Sequence, residues 1–240
     1  MSTHCNTAEN QEWEQVEGRD VSALLDPRPT IIIGATGERK SLGFATIIWV
    51  TPVSHKPAML AFALRESSYT MSLIQKCGCF SINVLPATPE AGRLAQVCGT
   101  RSGWNMLKDG LIPHRYEPVS FDREETRREL VHKKGLFRKE QYKEVTKTYH
   151  EESKVPIVEC ATSWLACKVD SVQPAGDHLL VVGTVLTAMT TAPRNAQGHL
   201  APTNVLQCIQ HECFGMVRPF DETDERPAPP PVAAPVPKSQ

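Results

Sequence analysis

The chain lacks the marks of several functional classes. Charge of one sign is missing: 26 Lys and Arg against 27 Asp and Glu leave a formal net charge of -1. Nucleic-acid binders carry a strong basic excess, and so do surfaces that attach to anionic lipid; neither partner is expected here. No run approaches the roughly 20 apolar residues that span a bilayer. Met1 to Asp20 is polar and acidic, unlike a signal or transit peptide, so a cytoplasmic setting is expected. No catalytic triad, paired-carboxylate motif, P-loop or GxGxxG occurs. A nicotinamide, if one is used, is therefore not held by a Rossmann domain.

Paired zinc-ligand spacing is also missing. Eight cysteines stand at 5, 77, 79, 98, 160, 167, 208 and 213. In a long chain that is not cysteine-dense, they read as reduced thiols. Cys77-Gly78-Cys79 is the only tight pair, and Cys208 and Cys213 with His211 between them form half a site without its other half. A structural zinc needs a second matching pair, so no metal is expected. Cys160, Cys167 and Cys208 read as small core hydrophobes.

What is present is a core. The 240 residues, 40% of them hydrophobic, allow one or two domains. Residues 1–26 form a polar arm, and Pro27-Arg28-Pro29 marks the start of order. Apolar runs follow at Thr30–Gly34 (β-branched), Gly43–Val50, Ala58–Leu64 and Phe80–Leu85, separated by turn residues, the signature of an antiparallel barrel or sandwich. Helices are expected at Ser68–Cys77, capped by Ser68 and stopped by Gly78, and at Pro89–Cys98. Residues 120–154 differ: 18 of the 35 are charged, ten basic and eight acidic, with the signs interleaved. That pattern predicts a helical insertion held by i,i+4 pairs, either a solvated excursion or a lid or docking element. Strand character returns at Pro156–Val172 and at His178–Met189, joined by a turn at Gln173–Gly176, with a last strand at Asn204–Ile209. The folded domain is placed at 27–220. Residues 221–240, with six of the 19 prolines after position 225, form a disordered tail.

The chemistry is concentrated between Gly43 and Leu85. Thr46-Ile47-Ile48-Trp49 leads into Thr51-Pro52-Val53-Ser54, read as a proline-braced turn. Leu64-Arg65-Glu66-Ser67-Ser68-Tyr69-Thr70 carries a strand end, a guanidinium and several hydroxyls into a helix start. Free N–H groups, the positive helix end and Arg65 together suit an anion such as a phosphate ester. Ordinary capping by Ser68 is the competing reading.

The segments at Gly43–Pro86, Leu94–Gly103 and Glu159–Leu186 resemble, in order and combination, the flavin reductase-like family, and within it flavoredoxin-like proteins with a similar TPVS element. The resemblance implies an FMN-binding split β-barrel, mainly β with helices, here carrying the charged insertion. It implies that Thr46, Ile47, Ile48 and Trp49 line the isoalloxazine and ribityl and that Ser54 reaches towards the phosphate. Arg65, Ser68, Tyr69 and Thr70 would bind the phosphate, and Asn83 would lie near the ring or a dimer contact, or act structurally. Gly176-Asp177-His178 matches an element that in related reductases lies near the nicotinamide, which makes His178 the residue to steer NADH or NADPH; closure of a hairpin is its alternative. Gly43-Phe44-Ala45 departs from the subgroup's pattern and implies a lost side-chain contact to the flavin. The implied activity is hydride transfer from NAD(P)H to FMN and on to a small-molecule or protein electron acceptor, in a homodimer. A flavoredoxin-like FMN carrier without NAD(P)H activity and a flavin-free scaffold are the alternatives.

Overall fold

The computed structural model describes residues 14–38, 41–104, 110–131, 141–200, 204–210 and 213–216. The first 13 residues of the arm, His211 and the whole tail at 221–240 lie outside the described residues. In chain order the elements are α1 (Arg19–Ala23), β1 (Arg28–Pro29), β2 (Ile31–Thr36), β3 (Leu42–Ile47), β4 (Val50–His55), β5 (Ala58–Arg65) and α2 (Tyr69–Cys77). Then come β6 (Cys79–Val84), α3 (Pro89–Thr100), β7 (His114–Val131), β8 (Gln141–Val158), β9 (Ser163–Ala175), β10 (His178–Thr190), β11 (Gln207–Gln210) and β12 (Cys213–Gly215). None of the described helices is long and apolar enough to cross a membrane.

Seven strands form one antiparallel sheet in the order β3-β2-β6-β9-β10-β5-β4. Its two edge strands, β3 and β4, are consecutive in the chain and separated only by Ile48 and Trp49. Across a flat sheet they would stand six strand spacings apart, about 29 Å. Two residues reach only about 11 Å. The sheet must therefore curl into a barrel that stays split between β3 and β4. Pro52, with no N–H to donate, is tolerated because β4 is an edge strand, and the register shifts between Pro52 and Ser54. The expected run Gly43–Val50 is thus two strands bent at Ile48-Trp49, and Thr51–Ser54 is strand where a turn was expected.

Burial explains why the first strand reads as a continuous apolar run. Every residue of β2 is buried. Ile31, Ile33 and Ala35 point into the barrel with Phe62, Phe80 and Val181. Ile32 points outward, under Ala91 and Ala95 of α3, with Phe44 and Leu85. A strand covered on both faces has no polar alternation to show. α2 lays Met71, Leu73 and Ile74 against the barrel interior. α3 starts as its sequence dictates: Thr88 Oγ1 accepts from Ala91 N at 3.3 Å, and a proline opens the first turn.

The described residues of the charged insertion, 120–131 and 141–154, are strand and not helix. β7 and β8 pair antiparallel over 18 residues each, from His114 opposite Val158 to Val131 opposite Gln141. At the root Val119, Phe121, Val155 and Ile157 pack with Trp164 and Ala166. Farther out the interleaved charges meet across the ribbon. Arg128 Nε lies 3.3 Å from Glu144 Oε1, His150 Nδ1 3.0 Å from Asp122 Oδ1, and Glu125 stands opposite Lys147. Cross-strand pairs of opposite charge do in a ribbon what i,i+4 pairs do in a helix. The charge pattern alone therefore cannot separate the two. The run Pro156–Val172 is also two elements: β8 ends at Val158, and β9 begins at Ser163 after a turn.

Candidate functional site

A cleft of about 890 Å³ opens where the barrel is split. Its size suits a cofactor-sized ligand. One wall is Thr46–Trp49, the segment that crosses from β3 to β4. Thr46 Oγ1 donates to the Ala95 carbonyl at 2.5 Å, which ties this wall to α3. The Trp49 carbonyl accepts from Ala63 N at 3.0 Å, which ties its far end to β5. The wall is thus anchored from both sides.

At one end stand Arg65, Ser67, Ser68, Tyr69 and Thr70. β5 ends at Arg65, and α2 begins at Tyr69. The first helical bond runs from Ser72 N to the Ser68 carbonyl at 3.1 Å, so the N–H groups of Tyr69, Thr70 and Met71 stand ahead of the ladder. Ser68 occupies the N-cap position, but its side chain makes no cap hydrogen bond. A hydroxyl at a helix start that does not cap its own helix suits an external anion better than the capping reading does.

The loop after α3 faces the same end. Cys98–Gly103 lines the cleft, with Arg101 adding a second guanidinium. Trp104 pins this loop to the start of α2: its Nε1 donates to the Ser67 carbonyl at 3.0 Å, and its ring meets Tyr69 edge-on at 4.9 Å. Gly103 lies so close to the Tyr69 ring that an added Cβ would come within 2.5 Å of it. Arg28, from the N-terminal segment, also lines the cleft but is engaged with Asp26 at 2.8 Å.

Beside Arg65 the β9–β10 turn brings in Asp177 and His178. His178 pairs in register with Arg65. Its ring lies 4.8 Å from that of Trp49, tilted by 46°. His178 Nδ1 and Asp177 Oδ1 are 2.7 Å apart. That hydrogen bond, helped by the nearby charge of Arg65, holds the Asp177 carboxyl below its ordinary range. Asp177 thereby fixes one ring nitrogen of His178 and leaves the other for a ligand.

The structure brings together Thr46, Ile47, Ile48, Trp49, Arg65, Ser68, Tyr69, Thr70 and His178 on this one cleft. It does not bring Ser54 or Asn83 to it. Ser54 lies on edge strand β4 beyond the bulge, so the expectation that it reaches towards a phosphate is corrected. Asn83 is 0% exposed. It donates to the Ile32 carbonyl and the Ser81 hydroxyl, both at 3.1 Å, and its Oδ1 accepts from Val158 N at 2.8 Å. It is a structural clamp that joins the ribbon root to the barrel. Gly43 is likewise a packing residue: a Cβ there would stand 3.0 Å from Leu73 Cδ1 and 3.1 Å from the Thr70 Cα. Its bareness admits the first turn of α2.

Sequence reasoning gave no individual role to Ser67, Arg101, Ser102, Gly103 or Asp177, which also line the cleft. Gly99-Thr100-Arg101-Ser102-Gly103, a glycine-bounded run with a guanidinium and hydroxyls just after a helix, carried a signal that could have found most of them.

Comparison with known proteins gives the same architecture. The sequence profile of the family described as flavin reductase like domain matches residues 26–203. An uncharacterized protein of Archaeoglobus fulgidus is 30% identical over 164 residues, which cover 68% of this chain and 72% of that one. An FMN-binding protein from Thermus thermophilus superposes with a TM-score of 0.62 at 20% identity, covering 90% of this chain and 99% of the other. Flavoredoxin from Methanosarcina acetivorans gives 0.62 at 19%, with 88% and 94% covered. An NADH:FAD oxidoreductase from Streptomyces globisporus gives 0.58 at 14%, with 88% and 100% covered.

Proposed function

Because the chain belongs to the flavin reductase like domain family, we propose that it is an FMN-binding oxidoreductase that passes hydride from NADH or NADPH to the flavin and electrons on to a small-molecule or protein acceptor. The observation that carries this reading is the start of α2, where the non-capping Ser68, the N–H groups ahead of the helical ladder and Arg65 meet in the split of the barrel. A phosphate monoester suits that end, and the wall at Thr46–Trp49 suits a flat ring. The cleft is also large enough for an FMN with a second ring beside it.

Bound there, the flavin supplies the hydride chemistry. The chain's own residues bind, orient and limit access. Arg65, Ser68 and Thr70 hold the phosphate, and Thr46–Trp49 supports the ring. Trp49 and His178, in contact at 4.8 Å, form the aromatic edge past which the nicotinamide enters. Asp177 keeps the His178 ring in one orientation, and the other ring nitrogen meets the donor. No acid–base residue is needed for hydride transfer itself. Two copies are expected to assemble as a homodimer, which light scattering of the purified protein tests.

The deciding experiment is anaerobic titration of the FMN-loaded protein with NADH and with NADPH. Bleaching of the flavin band by either donor supports the reading. A flavin that stays oxidised with both reduces the protein to an electron carrier. A protein that takes up no FMN removes the flavin altogether.

A further inference from the structure

The tight pair Cys77-Gly78-Cys79 lies away from the cleft, at the opposite end of α2. Cys77 is the last residue of that helix, Gly78 is its left-handed C-cap at φ 69°, and Cys79 opens β6. The left-handed glycine reverses the chain within a single residue. That reversal folds the two cysteines back on each other. Cys77 Sγ lies 3.0 Å from the Cys79 carbonyl. Both are free thiols.

The pair is placed asymmetrically. Cys77 is half-buried, while Cys79 is 0% exposed and its Sγ lies 3.4 Å from Ser153 Oγ. The ribbon root roofs the turn. Phe121 comes within 3.6 Å, and Arg123 Nη1 within 4.0 Å, of where a Cβ on Gly78 would stand. From β8, Glu151 and Ser153 face Cys79. The Cys79 thiol, and more weakly Arg123, hold Cys77 at about 7 against the upward push of burial. The same contact and burial drive Cys79 far upward. The carbonyl end of α2 works against a thiolate at Cys77, so these neighbours offset it. One half-buried thiol lowered towards neutrality beside a fully buried one is the arrangement of an attacking and a resolving cysteine.

We propose that Cys77 and Cys79 form a reversible dithiol–disulfide couple in which Cys77 reacts with a peroxide and Cys79 resolves the product. In the first step the Cys77 thiolate attacks one peroxide oxygen. An S–O bond forms, the O–O bond breaks, and the departing oxygen takes a proton and leaves as water or an alcohol. Cys77 is oxidised to a sulfenic acid and the peroxide is reduced by two electrons. In the second step the Cys79 sulfur attacks the Cys77 sulfur. The S–S bond forms, the S–O bond breaks, and the hydroxyl leaves as water with the Cys79 proton. A dithiol reductant reverses the couple by exchange. This couple does not rest on flavin binding.

The chain makes the test direct. Trypsin cuts after Lys76 and Arg93, so peptide 77–93 contains Cys77 and Cys79 and no other cysteine. The full-length protein is treated with hydrogen peroxide, unfolded, alkylated and digested. The expected result is a non-alkylated 77–93 peptide about 2 Da lighter than its dithiol form, restored by dithiothreitol. In Cys79→Ser the disulfide is lost and a sulfenic acid on residue 77 is trapped by dimedone. In Cys77→Ser oxidation within this peptide slows by about tenfold or more, because the remaining thiol is protonated and buried. A peptide that stays doubly alkylated overturns the proposal. So does irreversible over-oxidation of Cys77 without the disulfide, or dimedone capture on Cys79 in the Cys77→Ser protein.

Discussion

Replacing Asn83 separates fold from function at a residue that sequence resemblance ties to the flavin and the structure ties to the framework. In Asn83→Ala three hydrogen bonds vanish: those to the Ile32 carbonyl, the Ser81 hydroxyl and Val158 N. All lie in the dry junction between β2, β6 and the root of β8. The Val158 N–H loses its acceptor outright, and a buried donor left without a partner costs about 1–3 kcal/mol. The Ile32 carbonyl keeps its strand pairing and the Ser81 hydroxyl still reaches the Pro156 carbonyl. These two losses cost less, about 0.5–1 kcal/mol each. The total is about 2–5 kcal/mol, a large share of the about 5–15 kcal/mol that holds a domain together. Urea denaturation followed by far-UV circular dichroism reads it as a lower midpoint at unchanged slope. FMN affinity, measured well below the midpoint, should stay within about twofold of the parent. A loss under about 1 kcal/mol together with weakened FMN binding would refute the clamp and return Asn83 to the cofactor site.

Three further outcomes test the site and the ribbon. Arg65→Ala should weaken FMN binding by about 1–2 kcal/mol, the scale of a charge-assisted hydrogen bond at an exposed position; fluorescence quenching on titrating the apoprotein measures it, and an unchanged Kd takes Arg65 out of the phosphate end. His178→Ala should slow reduction of the bound flavin by NAD(P)H in anaerobic rapid mixing while FMN stays bound; unaltered kinetics would leave His178 as a hairpin residue that only packs on Trp49. His150, hydrogen-bonded to Asp122 across the ribbon, is held above the ordinary histidine value, with that hydrogen bond as the main cause. Its raised value means that the pair favours the folded ribbon below the ordinary histidine range and loses that contribution as pH rises through the folded value. The NMR titration of His150 should therefore move down in Asp122→Asn, and an unmoved midpoint would show that the two side chains do not pair in solution.

Three barrel strands were legible because most of their residues are buried on both faces, and the apolar runs at Thr30–Gly34, Ala58–Leu64 and Phe80–Leu85 survive almost unchanged as β2, β5 and β6. Both core helices were legible, one from Ser68 and Gly78 at its ends and the other from its start at Pro89. The ribbon was not, for a physical reason. A helix and a two-stranded ribbon are both stabilised by neighbouring opposite charges, and in the sequence 16 residues separate Arg128 from Glu144 and 28 separate Asp122 from His150. Nothing local reveals such partners. What did distinguish the states was the alternation of Val119 with Phe121 and of Val155 with Ile157, a period of two at the ribbon root. The density of charge farther out masks it.

The cleft was legible to the extent that its parts are contiguous. Thr46–Trp49 and Arg65–Thr70 are short segments whose residue types suggest a wall and an anion site, and each lies at the junction of two elements. The loop Gly99–Gly103 and the turn at Asp177-His178 reach the same space only because the sheet closes. Its order places β10 beside β5, so His178 falls opposite Arg65 across 113 residues of sequence. The contact of Trp49 with His178 follows from the same closure: the bend that lets the chain cross from β3 to β4 puts Trp49 on the rim next to β5, and β10 is the next strand in. Topology therefore makes two demands on one dipeptide. Ile48-Trp49 must be short enough to force the curl and open enough to leave the split, and the residue at its end is the aromatic that meets the histidine. Lengthening this link by two or three residues would relax the curl and carry Trp49 away from His178. The split in the barrel and the position of the site are thus one consequence of one short connection.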